Sequence, residues 1–134
     1  MARWKIKNVG MKGVSMAVPE NVVKTSDFDF FSQEEAEVFD NTVGIRRRHI
    51  APDNMCASDM CQAAAEKLLE ELGWERDSID VLLFESVTGD YRTPPTSCIL
   101  QDRLALSENC FCMDIPMGCC GCMYAITVAD VDDD

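Results

Sequence analysis

Long apolar runs are missing from this chain. Its hydrophobic residues come in strand- or helix-sized blocks, so a membrane-spanning segment is not expected. Basic residues are also scarce: 12 Lys and Arg stand against 24 Asp and Glu, a formal net charge of −12. A general nucleic-acid binder needs the opposite balance, because it must neutralise phosphate. Histidine is nearly absent, and the single His49 beside an arginine cluster is expected to be structural or at the surface. The first residues, MARWKIKNVGMKG, are basic without a continuous apolar core or a small-residue cleavage site, so no secretory leader is expected.

What is present fits one α/β domain. With 134 residues, 47% hydrophobic and 27% charged, the chain can bury a core and is too short for two ordinary domains. Eight cysteines, at 56, 61, 98, 110, 112, 119, 120 and 122, fall mostly inside helix or strand patterns. That favours a reduced, cytoplasmic set of thiols over a disulfide scaffold. The one basic cluster, Arg46-Arg47-Arg48-His49, is either a solvated turn or a docking point for an anionic ligand or partner.

Apolar positions alternate in short phases from Trp4 to Val18 and shift register near Gly10 and Gly13, which predicts a bulged strand or two short ones. A short helix is expected at about Gln33 to Phe39. Ser58 is placed as N-cap of the strongest helix, running to Leu72 with Gly73 as its stop. Ile79 to Ser86 is apolar on both faces, as a central parallel strand would be. Pro94 and Pro95 then open a helix from about Thr96 to Leu104, a strand follows at Cys110 to Ile115, and a helix runs from Cys119 toward Ala129. Strand and helix alternate as in βαβ crossovers. Residues 1–129 are expected to form the domain and 130–134, acidic at a helix end, a disordered tail.

The stretch from Phe111 to Ala125 carries the chemistry. It predicts a buried strand that turns sharply and delivers a thiol, Cys119, to a helix start, where N–H groups and the helix dipole favour thiolate. Three chemistries compete for it. Cys119 and Cys122 have C-x-x-C spacing for zinc, but Cys110 and Cys112, the pair that would complete a set, are spaced wrongly, and no metal is expected. The same two thiols suit disulfide exchange, although a thioredoxin-like fold needs further strands after the motif helix. The third is acyl transfer by a nucleophilic cysteine, with Gly121 permitting close approach behind the thiol and supporting the elbow or an oxyanion hole.

The segment Asp114-Ile-Pro-Met-Gly-Cys119-Cys-Gly121-Cys-Met-Tyr124-Ala125 resembles the D-x-x-x-A-C-S-G-F-x-Y-A motif of the 3-oxoacyl-(acyl-carrier-protein) synthase III family, in the thiolase superfamily. Gly13-Val-Ser-Met-Ala-Val-Pro19-Glu20 is similar to the family's first strand and G-x-x-x-L-P-E turn, and Val43-Gly44-Ile45-Arg46-Arg47-Arg48-His49-Ile50 to its T-G-I-x-x-R-x-I segment. Pro95-Thr-Ser-Cys-Ile-Leu-Gln101 resembles its P-S-x-A-x-x-Q helix start. The resemblance covers about Ile6 to Ala129 and sets Cys119, not Cys120, on the nucleophile.

It implies the N-terminal half of a thiolase-like fold, a mixed, mostly parallel sheet with helices on both faces. It further implies that Cys119 takes an acyl group from acyl-CoA or an acyl carrier protein, with no permanently bound cofactor, before decarboxylative condensation with a malonyl-carrier thioester. The His and Asn for that second step belong to the family's C-terminal half. The chain is therefore expected to be a fragment, a split subunit awaiting that half, or a remnant, with a homodimer as the family's assembly. A Trp and an Arg that sandwich the coenzyme A adenine align with Val38 and Thr42. Arg46 and Arg48 stand where a phosphate or an acidic carrier could be met, and Tyr91, Arg92 and Pro94 in a loop bordering the acyl tunnel and the dimer partner. A non-catalytic partner subunit and a Cys119/Cys122 redox protein remain alternatives.

Overall fold

The computed structural model describes residues 9–129. Two compact units divide the described residues: 17–56 form one, and 9–16 with 57–129 form the other.

In the smaller unit, β1 (Val22–Lys24) pairs antiparallel with β2 (Arg47–His49), Val23 opposite Arg48. Between them runs α1 (Gln33–Val43), a turn longer than its expected end at Phe39. Ser32 starts it with a reciprocal cap: its Oγ accepts the Glu35 N–H at 3.2 Å while its own N–H donates to Glu35 Oε2 at 2.9 Å. Gly44 stops it in the left-handed conformation, φ 79°, donating its N–H to Asp40 O at 3.0 Å. Of the strand expected over 4–18, residues 4–8 lie outside the described set, and residues 9–18 belong to no strand. Their apolar alternation is genuine, but Val9, Met11, Val14 and Met16 are exposed and no neighbouring strand among the described residues offers them a ladder. Gly13 instead lies against the helix Ala57–Leu72, where a Cβ would come within 2.8 Å of Leu68 Cδ1.

The larger unit contains α2 (Ala57–Leu72), β3 (Val81–Glu85), α3 (Thr96–Arg103), β4 (Phe111–Ile115) and α4 (Gly121–Ala129). Strands β3 and β4 are parallel, Val81 opposite Phe111 and Glu85 opposite Ile115, with α3 in the connection. Phe84, Leu100 and Leu104 form the buried centre, flanked by Ala57, Ala65, Leu82 and Leu106. Val81, Leu82 and Leu83, expected to be covered on both faces, are only half-buried, because β3 has β4 as its one strand partner among the described residues. Gly73 ends α2 at φ 63° as expected.

Three start signals shift by a residue or two. Ser58 lies inside the first turn of α2 rather than at its cap, and the capping is done from a distance by Asp90, whose Oδ1 accepts the Ser58 N–H at 3.3 Å. Pro95, expected with Pro94 in the first turn of α3, is that helix's N-cap. Cys119, expected at the start of α4, precedes its first residue, Gly121, by two positions. The expected tail, 130–134, lies outside the described residues.

Candidate functional site

The path from β4 to α4 is a compact elbow. The Met117 N–H returns to Ile115 O at 2.8 Å and the Gly121 N–H to Gly118 O at 2.7 Å. Cys119 and Cys120 are thereby the two central residues of a tight turn. Cys120 O then accepts the Met123 and Tyr124 N–H groups at 3.1 and 3.4 Å, which begins α4. Cys119 thus sits at the carboxyl end of a parallel strand, before a helix, with its side chain exposed. In open α/β sheets ligands bind at this end of the strands.

Gly121 is buried, and its lack of a side chain is required. A Cβ there would meet Glu85 Cγ and Cδ at 2.5 Å and overlap Oε1. Its N–H donates to Gly118 O, and its missing side chain gives the elbow its close approach to β3. Glu85, the last residue of β3, is a site neighbour that sequence reasoning passed over. A lone carboxylate closing the run Val81-Leu82-Leu83-Phe84 was the available signal.

The other carboxylates at this end of the sheet are fully engaged. Asp114 on β4 accepts the Thr96 and Ser97 N–H groups at 2.7 and 2.8 Å. Burial pushes its pKa up, but the hydrogen bonds from Ser97 and Thr96 outweigh that and hold it below the ordinary aspartate value. Asp90 takes the Ser58 N–H and hydroxyl, and its own N–H donates to Thr96 Oγ1 at 3.2 Å. Between these groups lies a cleft of about 500 Å³ whose walls include Phe84, Ser86, Tyr91, Arg92 and Pro116. Pro94 is exposed and does not line it.

Cys120 and Cys122 are exposed and unbridged like Cys119, whereas Cys112 is a different kind of thiol. Burial first, then Cys110, Cys98 and Asp114, push its pKa up to about 11. Among the described residues no group of three or more His, Cys, Asp or Glu side chains is arranged to hold a metal ion.

Arg46 and Arg48 belong to the other compact unit. Arg48 is held in place there: Nη1 donates to Thr25 Oγ1 at 3.4 Å and the guanidinium lies 5.3 Å from the Phe39 ring centroid. Arg46 shares a cleft with Glu34, Glu37 and Asp40, poor company for a phosphate. Val38 and Thr42 both line a groove on α1 floored by Phe31, Phe39 and Val43 and edged by Glu34 and Glu35. His49 Nδ1 donates to Pro19 O at 2.6 Å, which fixes the proton on that nitrogen and ties the strand pair to the preceding loop.

No family model matches the chain. Curated relatives do match. It is 36% identical over 118 residues to the beta-ketoacyl-[acyl-carrier-protein] synthase III of Xanthomonas oryzae pv. oryzae, covering 88% of this chain and 36% of that protein. With the Geobacillus kaustophilus protein of the same name the identity is 36% over 120 residues, 90% of this chain and 38% of the relative. Among solved structures, a 3-oxoacyl-(acyl-carrier protein) synthase from Burkholderia xenovorans LB400 superposes with a TM-score of 0.82 at 38% identity, over 87% of this chain and 34% of that one. This chain is a homologue of the synthase III enzymes. It spans little more than a third of the length of the curated synthase III relatives it matches. Its fold is a partial thiolase-like α/β fold, an architecture shared with Xanthomonas campestris OleA at a TM-score of 0.81 and 21% identity. No helix among the described residues is long and apolar enough to cross a membrane.

Proposed function

We propose that this chain carries the acyl-accepting cysteine of a beta-ketoacyl-[acyl-carrier-protein] synthase III-type condensing enzyme of fatty-acid or polyketide-type synthesis, and that Cys119 is the acceptor. The observation that carries the reading is the exposed Cys119 in the Gly118–Gly121 turn, at the carboxyl end of β4 and ahead of α4. Homology to synthase III over most of the chain supports it. In the step proposed, Cys119 Sγ attacks the carbonyl carbon of an acyl thioester. A new C–S bond forms, the donor's C–S bond breaks, and the donor thiol leaves with the proton that Cys119 gave up. One thioester replaces another, so the exchange needs no redox partner and no permanently bound cofactor.

The donor is acyl-CoA or an acyl carrier protein, and the second substrate a malonyl group on a carrier. Decarboxylation of that malonyl group calls for neutral hydrogen-bond donors at the enolate oxygen. The one histidine in the chain, His49, already donates to Pro19. In this reading the condensation draws its His and Asn from the synthase length that this chain does not span, supplied by a continuation or a partner, within a dimer as the family resemblance implies. Incubation with acyl-CoA and with acyl carrier protein, followed by peptide mass spectrometry, tests the first step. An acyl adduct on Cys119 that disappears in Cys119→Ala is the expected result. An adduct surviving in that variant, or none with any donor once the remaining part is supplied, refutes it.

A further inference from the structure

Cys122 stands three residues after Cys119, and the backbone between them winds so that both lie on one side of the elbow. A hydrogen bond closes the Gly118–Gly121 turn, and neither Cys119 nor Cys120 has a positive φ. That combination is a type I turn, whose central residues keep the right-handed winding of a helix. Helix α4 follows without a break, since Cys120 O already accepts the Met123 and Tyr124 N–H groups. Residues three apart on such winding share a face, with Cβ atoms about 5–6 Å apart, whereas adjacent residues such as Cys119 and Cys120 do not face each other. A disulfide needs about 3.5–4.5 Å between Cβ atoms, a small closure for a residue that lies ahead of the helix. Both Cys119 and Cys122 are exposed and unbridged, so a small oxidant reaches one sulfur and the other is free to answer. The strand thiols offer no such partner, because Cys110 is buried and burial keeps Cys112 protonated. The motif this segment resembles has Phe where Cys122 stands, so the fold itself does not call for sulfur there.

We propose that Cys119 and Cys122 form a reversible disulfide under peroxide, which gates the acyl acceptor. The inference rests on the acylation of Cys119 proposed above. The Cys119 thiolate attacks one oxygen of hydrogen peroxide, an S–O bond forms, the O–O bond breaks, and hydroxide leaves and takes up the thiol's proton as water. The sulfur is thereby oxidised to a sulfenic acid. The Cys122 thiolate then attacks that sulfur, the S–S bond forms, the S–O bond breaks, and the second hydroxide leaves as water with the Cys122 proton. Two thiols and one peroxide give one disulfide and two waters. Exchange with a dithiol reductant returns both thiols and oxidises the reductant. While bridged, Cys119 has no thiolate with which to attack a thioester. The bridge also stops the sulfur short of the sulfinic and sulfonic acids, from which thiol reductants do not recover it.

The reduced full chain is treated with hydrogen peroxide at low protein concentration, free thiols are blocked with iodoacetamide, and the segment 119–122 is read by tandem mass spectrometry. Cys119 and Cys122 should be bridged and unlabelled, with Cys120 labelled, and all three should accept label after dithiothreitol. Acetylation of Cys119 from acetyl-coenzyme A, with the remaining part of the synthase supplied, should be lost on peroxide treatment and return with dithiothreitol. The part that returns should be about tenfold smaller in Cys122→Ser, where oxidation of Cys119 runs on to the sulfinic acid. A labelled Cys122 after peroxide, a bridge to Cys120, or a covalent dimer in place of the internal bridge overturns the gate and leaves the acylation reading intact, as does equal recovery in Cys122→Ser. Failure of the reduced chain to take any acetyl group overturns the acylation reading, and the gate with it.

Discussion

Asp114 and Thr96 are joined by a 2.7 Å hydrogen bond from the Thr96 N–H, and the second carboxylate oxygen takes the next N–H, that of Ser97, at 2.8 Å. A strand residue thus serves as the cap that α3 lacks in its own sequence, since Pro95 at the N-cap has no side chain to offer. The same strand leads into the Cys119 elbow, so one carboxylate ties the start of α3 to the strand that precedes the thiol.

Asp114→Asn should therefore cost about 1–3 kcal/mol, because one oxygen becomes an NH₂ facing an N–H donor. Acid should have a related effect. The folded-state pKa of Asp114 lies below its ordinary value, so its contribution is complete above the unfolded pKa of about 3.9 and is lost as pH falls through the lower folded value. Urea midpoints measured from neutral pH downward should fall through that window, and fall less in Asp114→Asn. An equal decline in both proteins would contradict the assignment.

Gly121 and Glu85 make a second pair with a sharp expectation. In Gly121→Ala the new methyl group meets Glu85 Cγ and Cδ at 2.5 Å, atoms too close to the strand backbone to swing away freely. A loss of about 1–3 kcal/mol is expected from overpacking. Shortening the partner in Gly121→Ala with Glu85→Ala should recover about 1 kcal/mol of it, a coupling that a double-mutant cycle on chemical denaturation reads directly. Additive losses would mean that the two residues do not press on one another.

The order of elements in the larger unit was legible in the sequence because each carries its own period: the Met60, Ala64, Leu68 and Leu72 line of α2, the apolar run of β3, and the strand and turn around Cys119. Cys119 and Gly121 were legible for the same reason, since an elbow is local. What escaped depends on partners far along the chain. Ser58 looked like a cap until Asp90, 32 residues on, supplied the acceptor. Glu85 looked like a strand end until α4 folded against it, 36 positions later. Strands β1 and β2 are three residues each, too short for an alternation to register, and Arg-Arg-His has none of the β-branched character that marks a strand.

The thiols divide by environment, and alkylation should separate them. Cys112, with its pKa pushed up to about 11, is overwhelmingly protonated at pH 8 and does not react as a thiolate. Brief treatment with iodoacetamide at that pH, read by peptide mass spectrometry, should modify exposed Cys119, Cys120 and Cys122 well before Cys112. Denaturant should remove the difference. Equal rates in the folded chain would show that the burial around Cys112 does not protect it.

Arg103 offers the last test, because its guanidinium serves two acceptors on α2. Nη1 donates to Ser58 Oγ at 2.9 Å and to Asp59 Oδ1 at 3.0 Å. Ser58 is fully buried and its hydroxyl donates a hydrogen bond to Asp90 Oδ2, so the loop after β3 is linked through Ser58 to the end of α3. Arg103→Met keeps much of the side-chain volume and removes both donations. The part-exposed ion pair with Asp59 is worth little, so the loss should come mainly from Ser58, at about 1–2 kcal/mol. Ser58→Ala removes the acceptor and also leaves an Asp90 oxygen without its hydroxyl partner, so it should cost more than Arg103→Met. Adding Arg103→Met to Ser58→Ala should then change little, and thermal unfolding of the four proteins checks the ranking. A full additive loss in the double variant would place the arginine's contribution on Asp59 instead.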